Sequence, residues 1–154
     1  MPYKETDIAN HAPATLKEPN MSSKSTPSFL RYVLWADAIS CLACGLLQVA
    51  FSGTLKHWLG LPAAMLMGTG VFLLIYGAAV AFLATRVRVP SAIIWMLIAG
   101  NSIWALACLA ILTSGRLDLT LLGNVYVIIQ AFTVAALAQL QYLALRQATL
   151  QLPV

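Results

Sequence analysis

The sequence predicts an all-α integral membrane protein: a four-helix bundle, up-down-up-down, with both termini on the cytoplasmic side. Three observations lead there. The 154 residues are 60 % hydrophobic and 9 % charged. A soluble domain carries roughly 25 % charged residues, so this chain cannot coat a water-facing surface. Four apolar runs each reach the ~20 residues a helix needs to cross ~30 Å of hydrocarbon. The basic residues gather at run ends with a bias that sets an orientation.

Residues 1–28 differ in composition from the remainder of the chain. They hold Lys4, Glu5, Asp7, Lys17, Glu18 and Lys24, with Pro2, Pro13, Pro19 and Pro27 as breakers. Such a segment buries too little apolar surface to offset its ordering entropy, so it reads as a disordered polar tail. Met21 heads a sensible shorter open reading and is a candidate native start, which a Tyr3 to Lys17 peptide found in the natural protein by mass spectrometry would rule out. No apolar signal-peptide core lies near Met1; the first span would itself act as an uncleaved insertion signal.

The spanning domain is residues 29–146, with spans at 29–51, 62–84, 90–112 and 119–145, then a short C-terminal tail, 147–154. The ~10-residue alternating segments of a β-barrel do not occur. Ser52-Gly53 ends the first run and Ser114-Gly115 the third. Pro62 and Pro90 open the second and third, where a first helical turn tolerates a missing N–H. The short connections force antiparallel neighbours.

One side of the membrane would hold Lys4, Lys17, Lys24, Arg31, Arg86, Arg88 and Arg146, and the other Lys56 and Arg116: seven basic residues against two. The richer side is cytoplasmic by the positive-inside rule. Tyr32 and Trp58 suit the aromatic belts at the two interfaces. The formal charge of +4 does not indicate nucleic acid, because the basic residues form no patch interleaved with aromatics. The partners implied are the lipid bilayer and either further copies of the chain or a larger membrane complex.

Polar residues within hydrocarbon are costly and therefore informative. Asp37, Cys41, Cys44 and Gln48 follow one another at spacings of 4, 3 and 4, which puts them on one helical face that must look into the bundle. Asp37 is the only acidic residue well inside a span. It lies about eight residues, ~12 Å, from the cytoplasmic end at 1.5 Å per residue. It reads either as a proton or cation site or as a carboxyl that locks helices by hydrogen bonding. Tyr76 lies at matching depth on the second run and is its expected partner. Asn101 on the third run, with Ala105 and Cys108, and Tyr126, Gln130, Thr133, Leu137 and Gln141 on the fourth complete two more polar faces. Asp37, Tyr76, Asn101, Gln130 and Thr133 form the expected polar core. Gly68, Gly70, Gly77, Ala81 and Gly100 are expected to let helix backbones approach.

Cys41-Leu42-Ala43-Cys44 is a C-x-x-C, a spacing used for thiol–disulfide chemistry and also by four-helix membrane enzymes of the vitamin K epoxide reductase type. Here it sits mid-membrane with no second cysteine pair to relay electrons, and buried cysteines are usually inert. Two small residues easing helix approach is the plainer reading. The two histidines, His11 and His57, lie outside the spans, so no metal site and no haem or other cofactor is expected within the membrane. No H-E-x-x-H, P-loop, G-x-S-x-G or Rossmann fingerprint occurs.

Trp58-Leu59-Gly60-Leu61-Pro62, then Gly68 and Tyr76, then Asn101-x-x-Trp104, resembles the pattern of small four-helix bacterial inner-membrane proteins and, more distantly, the DoxX-like group. The likeness covers residues 30–146. It implies an inner-membrane location and no defined activity. Asp37 is also placed like the single acidic residue in the first span of the small multidrug transporters. The chain departs from them in having Asp for Glu, in lacking their aromatic set, and in a charge bias favouring one orientation. The leading functional expectation is a non-enzymatic accessory or subunit-like membrane protein. A small proton-coupled carrier centred on Asp37 comes second, and a thiol redox protein using Cys41 and Cys44 third.

Overall fold

The computed structural model describes residues 28–150, the side chains of 148–150 excepted. The tail read from residues 1–28 and the alternative start at Met21 lie outside the described residues, apart from Ser28. The chain forms four α-helices: α1 (Ser28–Leu59), α2 (Ala63–Ala84), α3 (Ser91–Ser114) and α4 (Leu121–Leu150). All four are long and apolar enough to cross a membrane. This is the four-helix membrane architecture the composition calls for.

Local chemistry explains most boundaries. Pro62 and Pro90 sit immediately before α2 and α3, where no intrahelical N–H is needed. Gly115 ends α3 in the left-handed conformation, φ 59°, which glycine adopts without a Cβ penalty. Ser52-Gly53 behaves differently from expectation. Helical backbone continues past it to Leu59, and the break appears as a kink at Phe51 (φ −120°, ψ 21°). The expected stop therefore bends the helix, and the segment beyond the bend runs to the far end of the bundle. At the other extreme, α4 continues to Leu150, past the expected end at residue 145.

The helices alternate in direction, so both ends of the described chain lie at one end of the bundle, here the terminal end. α1 packs closely along α2, α3 along α4, and α1 also meets α4. No Cα atoms of α2 and α3 approach within 8 Å. The bundle is thus closed on three sides and spaced wider on the fourth. Across that wider side the rings of Phe72 and Trp104 stack, their centroids 5.7 Å apart.

Glycines set the closeness of α1 and α2. A Cβ on Gly45 would lie 2.8 Å from the Gly70 carbonyl oxygen, and one on Gly70 would lie 2.9 Å from Val49 Cγ2. Side chains there would push the backbones apart. Gly77 is equally enclosed, by Leu42 and Ala38. Gly68 and Gly100, also expected at contacts, have open space where a Cβ would stand; they sit on the outward faces of their helices.

Two apolar clusters close the ends. Leu30, Leu34, Ala38, Val80, Ala84, Ile94, Leu97 and Ala144 fill the terminal end. Leu59, Leu61 and Leu66 fill the far end, backed by Leu117, Leu119 and Tyr126. There the start of α4 is fastened to the end of α1. The Thr120 hydroxyl donates to the Trp58 carbonyl, the Thr120 amide donates to the Leu59 carbonyl at 3.2 Å, and Gly123 rests directly on that same carbonyl. Outside these clusters the surface is apolar, with Ile39, Leu46, Ile75, Ile103 and Phe132 exposed, as lipid-facing surface must be.

Candidate functional site

Between the two apolar ends lies a polar core in two layers. The layer nearer the terminal end is built on Asp37, which has no solvent-accessible surface. Asp37 comes from α1, and each other helix sends a side chain to it. The Tyr76 hydroxyl on α2 donates to Asp37 Oδ2 at 3.4 Å. Asn101 Nδ2 on α3 donates to the same oxygen at 3.2 Å, and Gln141 Nε2 on α4 does so at 2.8 Å. Cys41, one turn along α1, directs its thiol to Oδ1 at 3.5 Å. Asn101 also donates to Gln141 Oε1 at 3.3 Å. One carboxyl thus gathers four donors from four helices.

The second layer lies two to three turns further along α1. Gln48 Nε2 donates to the Tyr126 hydroxyl at 2.7 Å, and Gln130 Nε2 donates to the same oxygen at 2.5 Å. The Thr69 hydroxyl donates to Gln48 Oε1 at 2.6 Å. The Trp104 indole N–H donates to Gln130 Oε1 at 3.2 Å. Cys44 Sγ stands 3.2 Å from the Tyr126 hydroxyl and receives Gln130 Nε2 at 3.1 Å. Again all four helices contribute.

The α1 face Asp37-Cys41-Cys44-Gln48 does look inward, as its spacing requires. Of the expected core, the fold brings Tyr76 and Asn101 to Asp37. Gln130 belongs to the second layer. Thr133 is a correction: it is exposed, and its hydroxyl donates back to the Ile129 carbonyl at 2.8 Å. Thr133 stands about 60° around the helix from Gln130, toward lipid, at 100° per residue. Satisfying its hydroxyl within its own helix lets it face hydrocarbon. Cys41 and Cys44 are both free thiols and answer to different layers, Cys41 to Asp37 and Cys44 to Tyr126 and Gln130.

Gln48, Tyr126, Gln141, Thr69 and Trp104 belong to the network but were outside the expected core, the first three having been read only as members of inward polar faces. Gln141 carried a usable signal. It lies three turns from Gln130 on the same face, at the depth that matches Asp37 on an antiparallel helix. Trp104 entered only through the Asn101-x-x-Trp104 pattern, with no bonding role attached. Thr69 gave no signal, being one hydroxyl between Gly68 and Gly70.

Every buried side-chain nitrogen and oxygen among the described residues has a hydrogen-bond partner. No three His, Cys, Asp or Glu side chains among the described residues gather where a metal could sit. Beside the second layer is a cavity of about 150 Å³, lined among others by Gln48, Thr69, Trp104, Cys108, Tyr126 and Gln130. Asp37 does not line it.

No family model, no curated protein and no solved structure matches this chain.

Proposed function

We propose that this chain is a non-enzymatic accessory protein of the bacterial inner membrane, crossing it four times with both termini in the cytoplasm. One observation carries the reading. The single intramembrane carboxyl is wholly buried and occupied by donors from α2, α3 and α4 as well as its own helix. A carboxyl engaged in this way holds helices together, and a substrate could reach Oδ2 only by displacing donors from three other helices. The orientation rests on the basic residues. Among the described residues Arg31, Arg86, Arg88 and Arg146 lie near the terminal end, and Lys56 and Arg116 near the far end.

The side that meets a partner is the α3–α4 face. Gln139 turns its amide out of the bundle close to the level of the buried Gln141, beside a groove floored by Ser102, Ala105, Ala135 and Ala138. An amide in hydrocarbon is unfavourable until another helix pairs with it. It carries both donor and acceptor, so it is self-complementary across a two-fold axis, and the partner it suits is a second copy of the chain.

Two measurements on protein in liposomes and mild detergent test this. Wild type and Asp37→Asn should both give no proton flux by an enclosed pH dye, and Gln139→Leu should shift the wild-type dimer to monomer. Proton flux that Asp37→Asn abolishes would instead establish the carrier. A wild type that purifies only as monomer, or with an unrelated subunit, would remove the second copy as partner.

A further inference from the structure

The cavity beside the second layer lies in the widened gap between α2 and α3. Met65, Leu66 and Thr69 wall it from α2, and Trp104, Ala107, Cys108 and Ile111 from α3. Gln48 and Tyr126 back it from α1 and α4. Ala107 is exposed, so the gap opens sideways onto the lipid-facing surface. Cavities of roughly this volume, about 150 Å³, accommodate one benzene-sized ring.

The hydrogen-bond accounting defines what could enter. The Trp104 indole is a donor only, so it fixes Gln130 Oε1 toward itself and Gln130 Nε2 toward Tyr126. Tyr126 already receives both amide groups, which leaves its own proton for Cys44 Sγ. The single Thr69 proton is taken up between Gln48 Oε1 at 2.6 Å and the Met65 carbonyl at 2.8 Å. Gln48 Nε2 is shared between Tyr126 and Cys44, and Gln130 Nε2 likewise. The nitrogen- and oxygen-borne protons of these lining groups are therefore committed. What is left toward the cavity is acceptor capacity: second lone pairs on Gln48 Oε1, Gln130 Oε1 and the Thr69 hydroxyl. The Cys108 thiol is a weak donor at best. No charged side chain lines the space, so an ion has no counter-charge there.

We propose that this cavity binds a neutral, single-ring phenolic molecule that enters from the lipid phase between α2 and α3. The ring fills the apolar space beside Trp104, and its hydroxyl donates to one of the two glutamine oxygens. A phenol stays neutral at pH 7, since its proton leaves near pH 10.

The chain supplies its own reporter. Its four tryptophans are Trp35, Trp58, Trp95 and Trp104, and of these only Trp104 lines the cavity. The indole N–H resonances of full-length protein in nanodiscs are followed by NMR, the Trp104 signal being the one lost in Trp104→Phe. Titrated phenol should move Trp104 saturably and leave the other three in place. Anisole and benzene, which have no O–H, should require roughly tenfold higher concentration, the weight of one net hydrogen bond. Ala107→Phe should plug the opening and abolish the response; Ala107→Leu serves if the larger ring prevents folding. A non-saturating shift of all four indoles would mean partition into lipid and overturn the proposal. So would equal affinity for anisole, or a response that survives a folded Ala107 variant.

Discussion

Asp37 has no basic partner among its contacts. Its compensation comes from amides, a phenol and a thiol. Neutral partners of this kind average about 0.6 kcal/mol each between membrane helices, so the members are unequal in what their loss costs. Tyr76→Phe removes one long bond and should lower unfolding stability by about 0.6 kcal/mol. Asp37→Leu leaves Tyr76, Asn101 and Gln141 donors facing a hydrocarbon group and should cost ~1–3 kcal/mol for each that finds no new acceptor. Thr133→Val, which removes only a side-chain bond to α4's own Ile129 carbonyl, should be neutral. Unfolding in lipid–detergent bicelles by added SDS measures all three. At this scale the sequence was readable where depth and face could be computed together, as for Tyr76 and Asn101. It misplaced Thr133 because a hydroxyl that returns to its own helix looks, in one dimension, the same as one that crosses to a neighbour.

The helices differ in what holds them. α1 and α2 meet backbone to backbone at Gly45 and Gly70, while α2 and α3 are spaced by the Phe72 and Trp104 rings. Gly45→Ala brings a methyl against the Gly70 carbonyl and should cost on the order of 1–3 kcal/mol, as overpacking does. Gly100→Ala meets nothing and should be neutral or slightly stabilising through helix propensity. The same SDS unfolding assay separates them, and equal costs would show that α1 and α2 are not packed this closely. The four spans were legible because each needs ~20 apolar residues whatever its neighbours do. Which glycines face a partner was not, because Gly68 and Gly70 differ only in rotation about α2. The kink at Phe51 was half legible: Ser52-Gly53 marked the place, and continued packing at the far end turned a stop into a bend.

At the scale of the molecule, two apolar caps enclose a polar middle, and an apolar exterior faces lipid. A core made of paired polar groups fixes one arrangement of four helices that lipid-like side chains alone would leave loosely specified. The orientation assigned from the basic residues predicts that a cysteine introduced at Arg116 reacts with a membrane-impermeant maleimide in intact cells. One introduced at Arg88 should react only after lysis. The reverse labelling would invert the topology. The up-down-up-down order of the helices was legible because short connections force neighbouring spans to run antiparallel. The polar network was not fully so, because it depends on which helices are neighbours, and nothing in the linear chain states that α1 contacts α4.

In the proposed function Asp37 serves to join helices. A double-mutant cycle between Asp37→Leu and Gln141→Leu, read as unfolding free energy in bicelles, tests it most directly, because the pair is 2.8 Å apart across α1 and α4. A coupling of about 0.6–1.7 kcal/mol is expected, with the double variant less damaged than the sum of the single ones. Additive losses, or an Asp37→Leu as stable as wild type, would contradict it and return the carboxyl to the role of a functional group.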